Sequence, residues 1–204
     1  MVRDVDKSVS SSPGRGPAFE RELAELTARL MLVPASSTVK GMFINTFLET
    51  LDAVHCPRPT RDRFFAFRDY PLTRFMAMML DTVPLAWPSD APSQGLRRLG
   101  QTAFHALASS MAGRVLFAVA GSDWHTLLSL AGRAYELSLS HARVAVHEVG
   151  EHEAVVELRQ VWNFADSYQV GVMEAALEAY GKQGVVRVEK LGRCCDVNLH
   201  LAWE

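Results

Sequence analysis

Residues 194–203 read Cys-Cys-Asp-Val-Asn-Leu-His-Leu-Ala-Trp, and the alternation within them decides the fold. Cys195, Val197, Leu199, Leu201 and Trp203 fall on one side, while Cys194, Asp196, Asn198 and His200 fall on the other. Successive side chains of a strand point to opposite faces, so this stretch predicts a strand with one buried and one polar side. Working back from it, Val186 and Val188 open a strand that turns at Gly192 into the last one. Ala165 to Gly181 predicts a helix, with Val170, Met173, Leu177 and Tyr180 along one side and Gly181 just past its end. Before that helix, Ala142, Val144 and Val146 alternate with Arg143, Ala145 and His147. Val149-Gly150-Glu151-His152 reads as a hairpin connection, and Val156 and Leu158 carry the buried face of the returning strand. The expectation is an α+β protein with a helical layer packed on a four-stranded antiparallel sheet, closing in a C-terminal β-β-α-β-β unit.

The helical layer comes first in the chain. Ala18 to Leu32 predicts a short helix stopped by Pro34, and Val39 to Val54 a stronger one with Phe43, Ile44, Phe47, Leu48 and Leu51 as its stripe. A third helix, from about Leu72 to Val83, is expected to end at Pro84. A fourth lies between Ser93 and Met111, with Leu96, Leu99, Ala103, Ala106 and Leu107 as its buried set. Asp123 reads as the N-terminal cap or first-turn acid of another, which carries Trp124, Leu127, Leu128, Ala131 and Tyr135. Residues 1–17 are rich in Ser, Gly, Pro and charge and are expected to form a disordered tail before one domain spanning 18–204.

Bulk properties narrow the function classes. With 49% hydrophobic and 22% charged residues over 204 positions, the chain has the make-up of a soluble globular protein able to bury a core. A net charge of -2 gives no general basic field for nucleic acid or acidic membrane. The longest apolar runs, Phe75 to Leu80 and Val115 to Ala120, fall far short of the ~20 residues a spanning helix needs. The N-terminus has no apolar signal core, and three cysteines, two of them adjacent, make no disulfide framework. A cytoplasmic location follows as the expectation.

Several phrases resemble a known family. Lys40-Gly41-Met42-Phe43-Ile44-Asn45, Arg98-Leu99-Gly100, Ser110-Met111-Ala112-Gly113-Arg114 and Tyr168-Gln169-Val170-Gly171-Val172-Met173-Glu174-Ala175-Ala176-Leu177-Glu178 are similar to those of an uncharacterised family of chains of about this length, expanded in myxobacteria. The resemblance runs from Val39 to Trp203 and implies no particular activity. More distantly, the Lys40-Gly41 helix opening and the strand-strand-helix-strand-strand ending resemble the superfamily of haem-nitric-oxide-binding domains, TRAPP tethering components and 4-vinyl-reductase domains. That resemblance implies helices over an antiparallel sheet with a cavity between them, a design that does not itself fix a function.

Haem is the sharpest site the superfamily implies, and the residues argue against it. A proximal histidine must project into a closed apolar pocket. His105 lies with Arg98, Gln101, Thr102 and Ser109 on a polar helix face, and His125 with Ser129 and Arg133. The Tyr-x-Ser-x-Arg motif that holds haem propionates in the gas sensors is matched neither by Tyr70-Pro71-Leu72-Thr73-Arg74 nor by Tyr135-Glu136-Leu137-Ser138-Leu139. His147, Glu148, Glu151, His152 and Glu153 are ligand types, but their spacing fits no familiar closed metal site. Adjacent Cys194 and Cys195 point to opposite faces, and no Cys-x-x-Cys pair is present. No nucleophile elbow, phosphate loop or dinucleotide fingerprint appears.

Two features stand out. The helix holding Phe75, Met76, Met78, Met79 and Leu80 is apolar nearly all round. It reads as a core helix, or as one whose adaptable thioethers line a pocket. On the second reading Phe75, Met76 and Met79 line the site, while Trp87 and Trp124, with Trp162, close it. In the other, Arg58, Arg61, Arg63 and Arg68 interleave with Phe64, Phe65 and Phe67. Asp62 and Asp69 halve that charge, which favours a partner surface, or a helix with its phenylalanines inward, over a nucleic-acid grip. The reading is a non-enzymatic regulatory or protein-interaction module, with a protein partner or a homodimer and room for a small apolar ligand between helices and sheet. It needs no cofactor or metal. The alternative is a cofactor-binding small-molecule sensor or a reductase-like enzyme.

Overall fold

The computed structural model describes residues 16–109 and 111–204, so the expected tail falls outside them except for Gly16 and Pro17, and Ser110 of the third family phrase is outside as well. Helix α1 (Pro17–Ala28) runs into a 3-10 turn at Arg29–Leu32. Strand β1 (Thr38–Lys40) leads directly into α2 (Gly41–Ala53), and β2 (Asp69–Pro71) pairs antiparallel with β1 before α3 (Leu72–Ala86). Helices α4 (Pro92–Ser109), α5 (Met111–Ala120) and α6 (Trp124–Ser138) complete the helical layer. Strands β3 (Arg143–Gly150) and β4 (Glu153–Arg159), helix α7 (Tyr168–Ala179), and strands β5 (Gly184–Lys190) and β6 (Val197–Trp203) follow. The four strands form one antiparallel sheet in the order β3-β4-β6-β5.

From Val197 on, the C-terminal strand alternates in burial as its residues predict. Residues 194–196, read with it, precede the strand, and Asp196, expected on the polar side, is 6% exposed where it accepts the Gln160 amide. Val197, Leu199, Leu201 and Trp203 are buried with Val156, Leu158 and Val186, whereas His200 is exposed and Asn198 half-exposed. Helix α7 lies between this sheet and α4, and is buried from Tyr168 to Leu177 at every position except Glu174. A helix apolar on all sides is one enclosed by neighbours. Gly181, at φ 67°, and Gly192, at φ 79°, take the left-handed conformation that ends α7 and turns β5 into β6. Asp123 caps α6, accepting a hydrogen bond from the Thr126 amide at 3.0 Å.

Helix α4 runs along α7 at very close range. Gly100 faces the Tyr168 carbonyl and the Val172 amide, and Gly171 faces the Arg97 carbonyl and the Gln101 amide. Two glycines, each against the other helix's backbone, let the axes approach where any side chain would hold them apart. Beside the crossing, Arg97 Nε donates to Glu174 Oε2 at 2.7 Å, and Gln101 Nε2 donates to the same oxygen at 3.0 Å. The family phrases at Arg98-Leu99-Gly100 and Gly171 to Glu174 are therefore the two halves of one helix contact.

Four further sequence expectations differ from the structure. Val39 and Lys40 are strand, because Lys40 keeps an extended backbone at ψ 140° and pairs with Asp69. Pro84 does not end α3. It sits in the final turn, where its ring fits a helical φ and costs one backbone hydrogen bond, so the helix continues to Ala86. Val115 to Ala120 belongs to the separate helix α5, which the sequence reading did not place. Residues 57–68 form no helix with three inward phenylalanines. Phe64 alone is buried, edge-on to Tyr70 at 5.0 Å, while Phe65 and Phe67 are 67% and 84% exposed. Carbonyls of Ala66 and Arg68 accept the Met42 and Gly41 amides, and Asn45 Nδ2 donates to the Phe64 carbonyl at 3.0 Å. The Lys40 to Asn45 phrase thus holds this segment across the start of α2.

Among the described residues no single helix is long and apolar enough to cross a membrane, although α4 and α5, bent by 75°, reach that length as a pair. Gly100→Ala and Gly171→Ala each force a Cβ into a carbonyl of the facing helix and should cost about 3 kcal/mol or more, read as a lower Tm. Gly132→Ala, whose Cβ would meet Val144 no closer than 3.6 Å, should leave Tm unchanged or raise stability by up to about 1 kcal/mol.

Candidate functional site

A cavity of about 80 Å³ opens among the helices. Phe43 and Thr46 of α2, Phe75 of α3, Ala103 and Phe104 of α4, and Phe117 of α5 form much of its wall. Leu127 and Tyr135 of α6 and Tyr168, Val172, Met173 and Ala176 of α7 close the rest, with Val39, Leu107 and Leu139 at the margins. Asn163, from the loop between β4 and α7, is the other lining residue. None of these residues comes from the four-stranded sheet. The cavity is set between α7 and the other helices, not between helices and sheet.

Of the residues the sequence singles out for a pocket, Phe75 lines this cavity. Met76 and Met79, on the same helix, are fully buried in the core and are not in its wall. Trp87 caps the end of α3, its amide bonded to the Val83 carbonyl at 3.0 Å, and is half-buried away from the site. Trp124 is buried behind the wall. There an aromatic series runs outward from the cavity: Phe104 to Phe117 at 5.7 Å, Phe117 to Tyr180 at 6.2 Å, Tyr180 to Trp124 at 5.8 Å and Trp124 to Trp203 at 5.7 Å. The last ring belongs to β6, so one chain of contacts joins the wall to the sheet. Trp162, the third suggested closing residue, is half-buried beside Asn163 in sequence.

The polar groups near the cavity were not expected from sequence. Tyr135 O–H donates to Gln169 Oε1, and burial pushes the Tyr135 and Tyr168 phenols well above their ordinary range, so both stay neutral at physiological pH. The loop bearing Asn163 is held firmly. Gln160 and Phe164 both adopt φ 56°, a conformation costing non-glycine residues about 1–3 kcal/mol. Asp196 Oδ1 accepts the Gln160 amide at 2.8 Å, the Cys195 carbonyl accepts the Val161 amide at 3.0 Å, and the Phe164 side chain is fully buried. The sequence signal is the set of polar residues Asn163, Asp166, Ser167 and Gln169 within an otherwise apolar stretch from Val161 to Met173.

Asp166 fastens the same loop to the turn after α1 and to the end of β5. Arg29 donates to it through two nitrogens, at 2.7 and 3.1 Å, and Lys190 Nζ lies 2.7 Å away. Burial alone would raise this carboxyl, but the hydrogen bonds and charges of Arg29 and Lys190 outweigh it and hold the group below its usual 3.8.

A haem does not fit these residues. None of the seven histidines lines the cavity: six are exposed, and His125 is drawn toward Glu148 at 2.9 Å. Among the described residues no cysteine lines it, and no arginine or lysine is there to meet propionates. The two phenols are neutral, and that of Tyr135 is engaged with Gln169. The volume is below the ~150 Å³ of a void that admits benzene. His147, Glu148, Glu151, His152 and Glu153 do not gather, and among the described residues no three His, Cys, Asp or Glu side chains come together to hold a metal ion.

Residues 33–204 match the family described as protein of unknown function, DUF2378. The chain belongs to that family. No curated protein matches the sequence. Solved structures similar to this fold are H-NOX proteins. A variant of the Fe(II) unliganded H-NOX protein from K. algicida is 14% identical over 81% of this chain and 96% of that one, at a TM-score of 0.57. An H-NOX protein from S. oneidensis in the Fe(II)NO ligation state is 13% identical over 81% and 99%, at 0.56. A structure titled for haem redox potential modulated through porphyrin distortion is 13% identical over 81% and 95%, at 0.59. At such identities the likeness is one of fold.

Because the Asp166 carboxyl titrates lower in the folded chain than in the unfolded one, its contribution is complete above the ordinary carboxylate range and is lost as pH falls through the folded value. Asp166→Asn should cost about 2–3 kcal/mol near neutral pH. Melting curves of the parent and the variant should converge as the pH is lowered below the ordinary carboxylate value of 3.8.

Proposed function

We propose that this chain is a non-enzymatic regulatory module that responds to a small, mainly apolar molecule held among α2, α4, α6 and α7. The observation that carries the reading is the cavity itself, apolar over most of its wall and placed within a fold shared with H-NOX proteins. Protein interiors are close-packed, so a cavity of this size is a departure with a cost to stability. A guest that occupies it restores contacts with its wall.

Response follows from the same geometry. A guest pressing on Phe104 and Phe117 displaces rings that lead through Tyr180 and Trp124 to Trp203 at the end of β6. Occupancy thus biases the helical layer against the sheet, and a protein partner or a second copy of the chain reads the change. The three free thiols, Cys56, Cys194 and Cys195, suit a reducing cytoplasm.

Native mass spectrometry and an absorption spectrum of protein purified from its own host test the reading. A retained small neutral molecule is expected, and it should be lost in Ala103→Leu, which fills the wall of the cavity. A stoichiometric haem mass with a Soret band would overturn the reading in favour of a cofactor-bearing sensor.

A further inference from the structure

The polar end of the cavity specifies more than an apolar guest. Asn163 is 4% exposed and lines the cavity, yet its side-chain oxygen, Oδ1, has no hydrogen-bond partner. Ser167 Oγ and Gln169 Nε2, both on buried residues that follow in the same loop and helix, also lack partners. Buried polar atoms are almost always paired, because leaving one unpaired forfeits the hydration it gave up. Several in a short span beside a cavity point to a group that supplies the missing bond. The loop geometry makes this a built feature. Gln160 and Phe164 hold left-handed conformations on either side of Asn163, fixed by Asp196 and by the buried Phe164 ring.

We propose that the cavity binds a small neutral molecule with an apolar body and one hydroxyl or N–H donor, and that this donor hydrogen-bonds to Asn163 Oδ1. The inference rests on the function proposed above. Among the described residues the lining carries no cation for an anionic guest and no carboxylate for a cationic one, which favours an uncharged guest. Phe43, Phe75, Phe104, Phe117 and Val172 enclose its body, and the carboxamide oxygen fixes which end enters toward the loop. A site built to receive a donor rejects the analogue lacking it, since its own acceptor is then left bare.

Propan-2-ol and acetone are nearly isosteric, and only the alcohol donates. Titrating each into the 15N-labelled full chain, the alcohol should bind at least roughly five-fold more tightly, the ratio expected for one net hydrogen bond. The amide shifts should centre on Asn163, Val172 and Ala103. In Asn163→Leu the preference should vanish while both probes still bind. That variant also removes an unpaired buried acceptor, so its Tm should stay equal or rise by roughly 2–4 °C. Saturable binding of both probes without preference would overturn the assigned donor and leave the cavity reading standing. A fall in Tm for Asn163→Leu would overturn it too, by showing the oxygen to be satisfied within the protein. If neither probe shifts residues around the cavity, the proposed function fails and this inference with it.

Discussion

Close approach of α4 to α7 is the constraint on which the rest of the structure depends. Gly100 and Gly171 bring each helix against the other's backbone, and Arg97, Gln101 and Glu174 lock the register beside them. This contact buries α7 between the helical layer and the sheet. The cavity wall draws on the same two helices, with Ala103 and Phe104 of α4 and Val172, Met173 and Ala176 of α7. A tight crossing at the glycines with small and aromatic residues beyond it leaves a gap that the side chains do not fill.

The sheet was legible because it depends on period two alone. Val197 to Trp203 alternate without a break, and a one-residue slip would place every apolar side chain in solvent. Gly181 and Gly192 marked their turns for the same local reason. The helical layer was legible in its stripes and less so at its boundaries. Lys40 is strand because a partner at Asp69 exists, a nonlocal fact that residues 39–54 do not carry. Phe65 and Phe67 are exposed because the segment around them is tied to Gly41, Met42 and Asn45 through the backbone carbonyls of Arg68, Ala66 and Phe64, not through its rings.

The site was less legible than the fold. An apolar helix such as that of Phe75 to Leu80 contains both wall and core, and sequence cannot say which methionine faces a void. Met76 and Met79 are packed while Phe75 borders the cavity: Met76 is turned about 100° from Phe75 around the helix, and Met79 lies one turn further along the same face. Asn163 could be seen as a polar residue in an apolar run, but its unpaired oxygen is a three-dimensional property. The residues do separate this chain from the haem chemistry of some of its structural neighbours. The layers are shared, while the cavity wall of this chain holds no histidine or cysteine among the described residues. Shared architecture with a changed interior is how one fold comes to serve different guests.

A crystal structure determined under xenon pressure would test the account most directly, since xenon enters apolar voids without needing a hydrogen bond. The account predicts ordered xenon in contact with Phe104, Phe117 and Val172, and no such density in Ala103→Leu. Absence of xenon there at a pressure that fills other cavities, or ordered xenon only on the sheet side of α7, would contradict it.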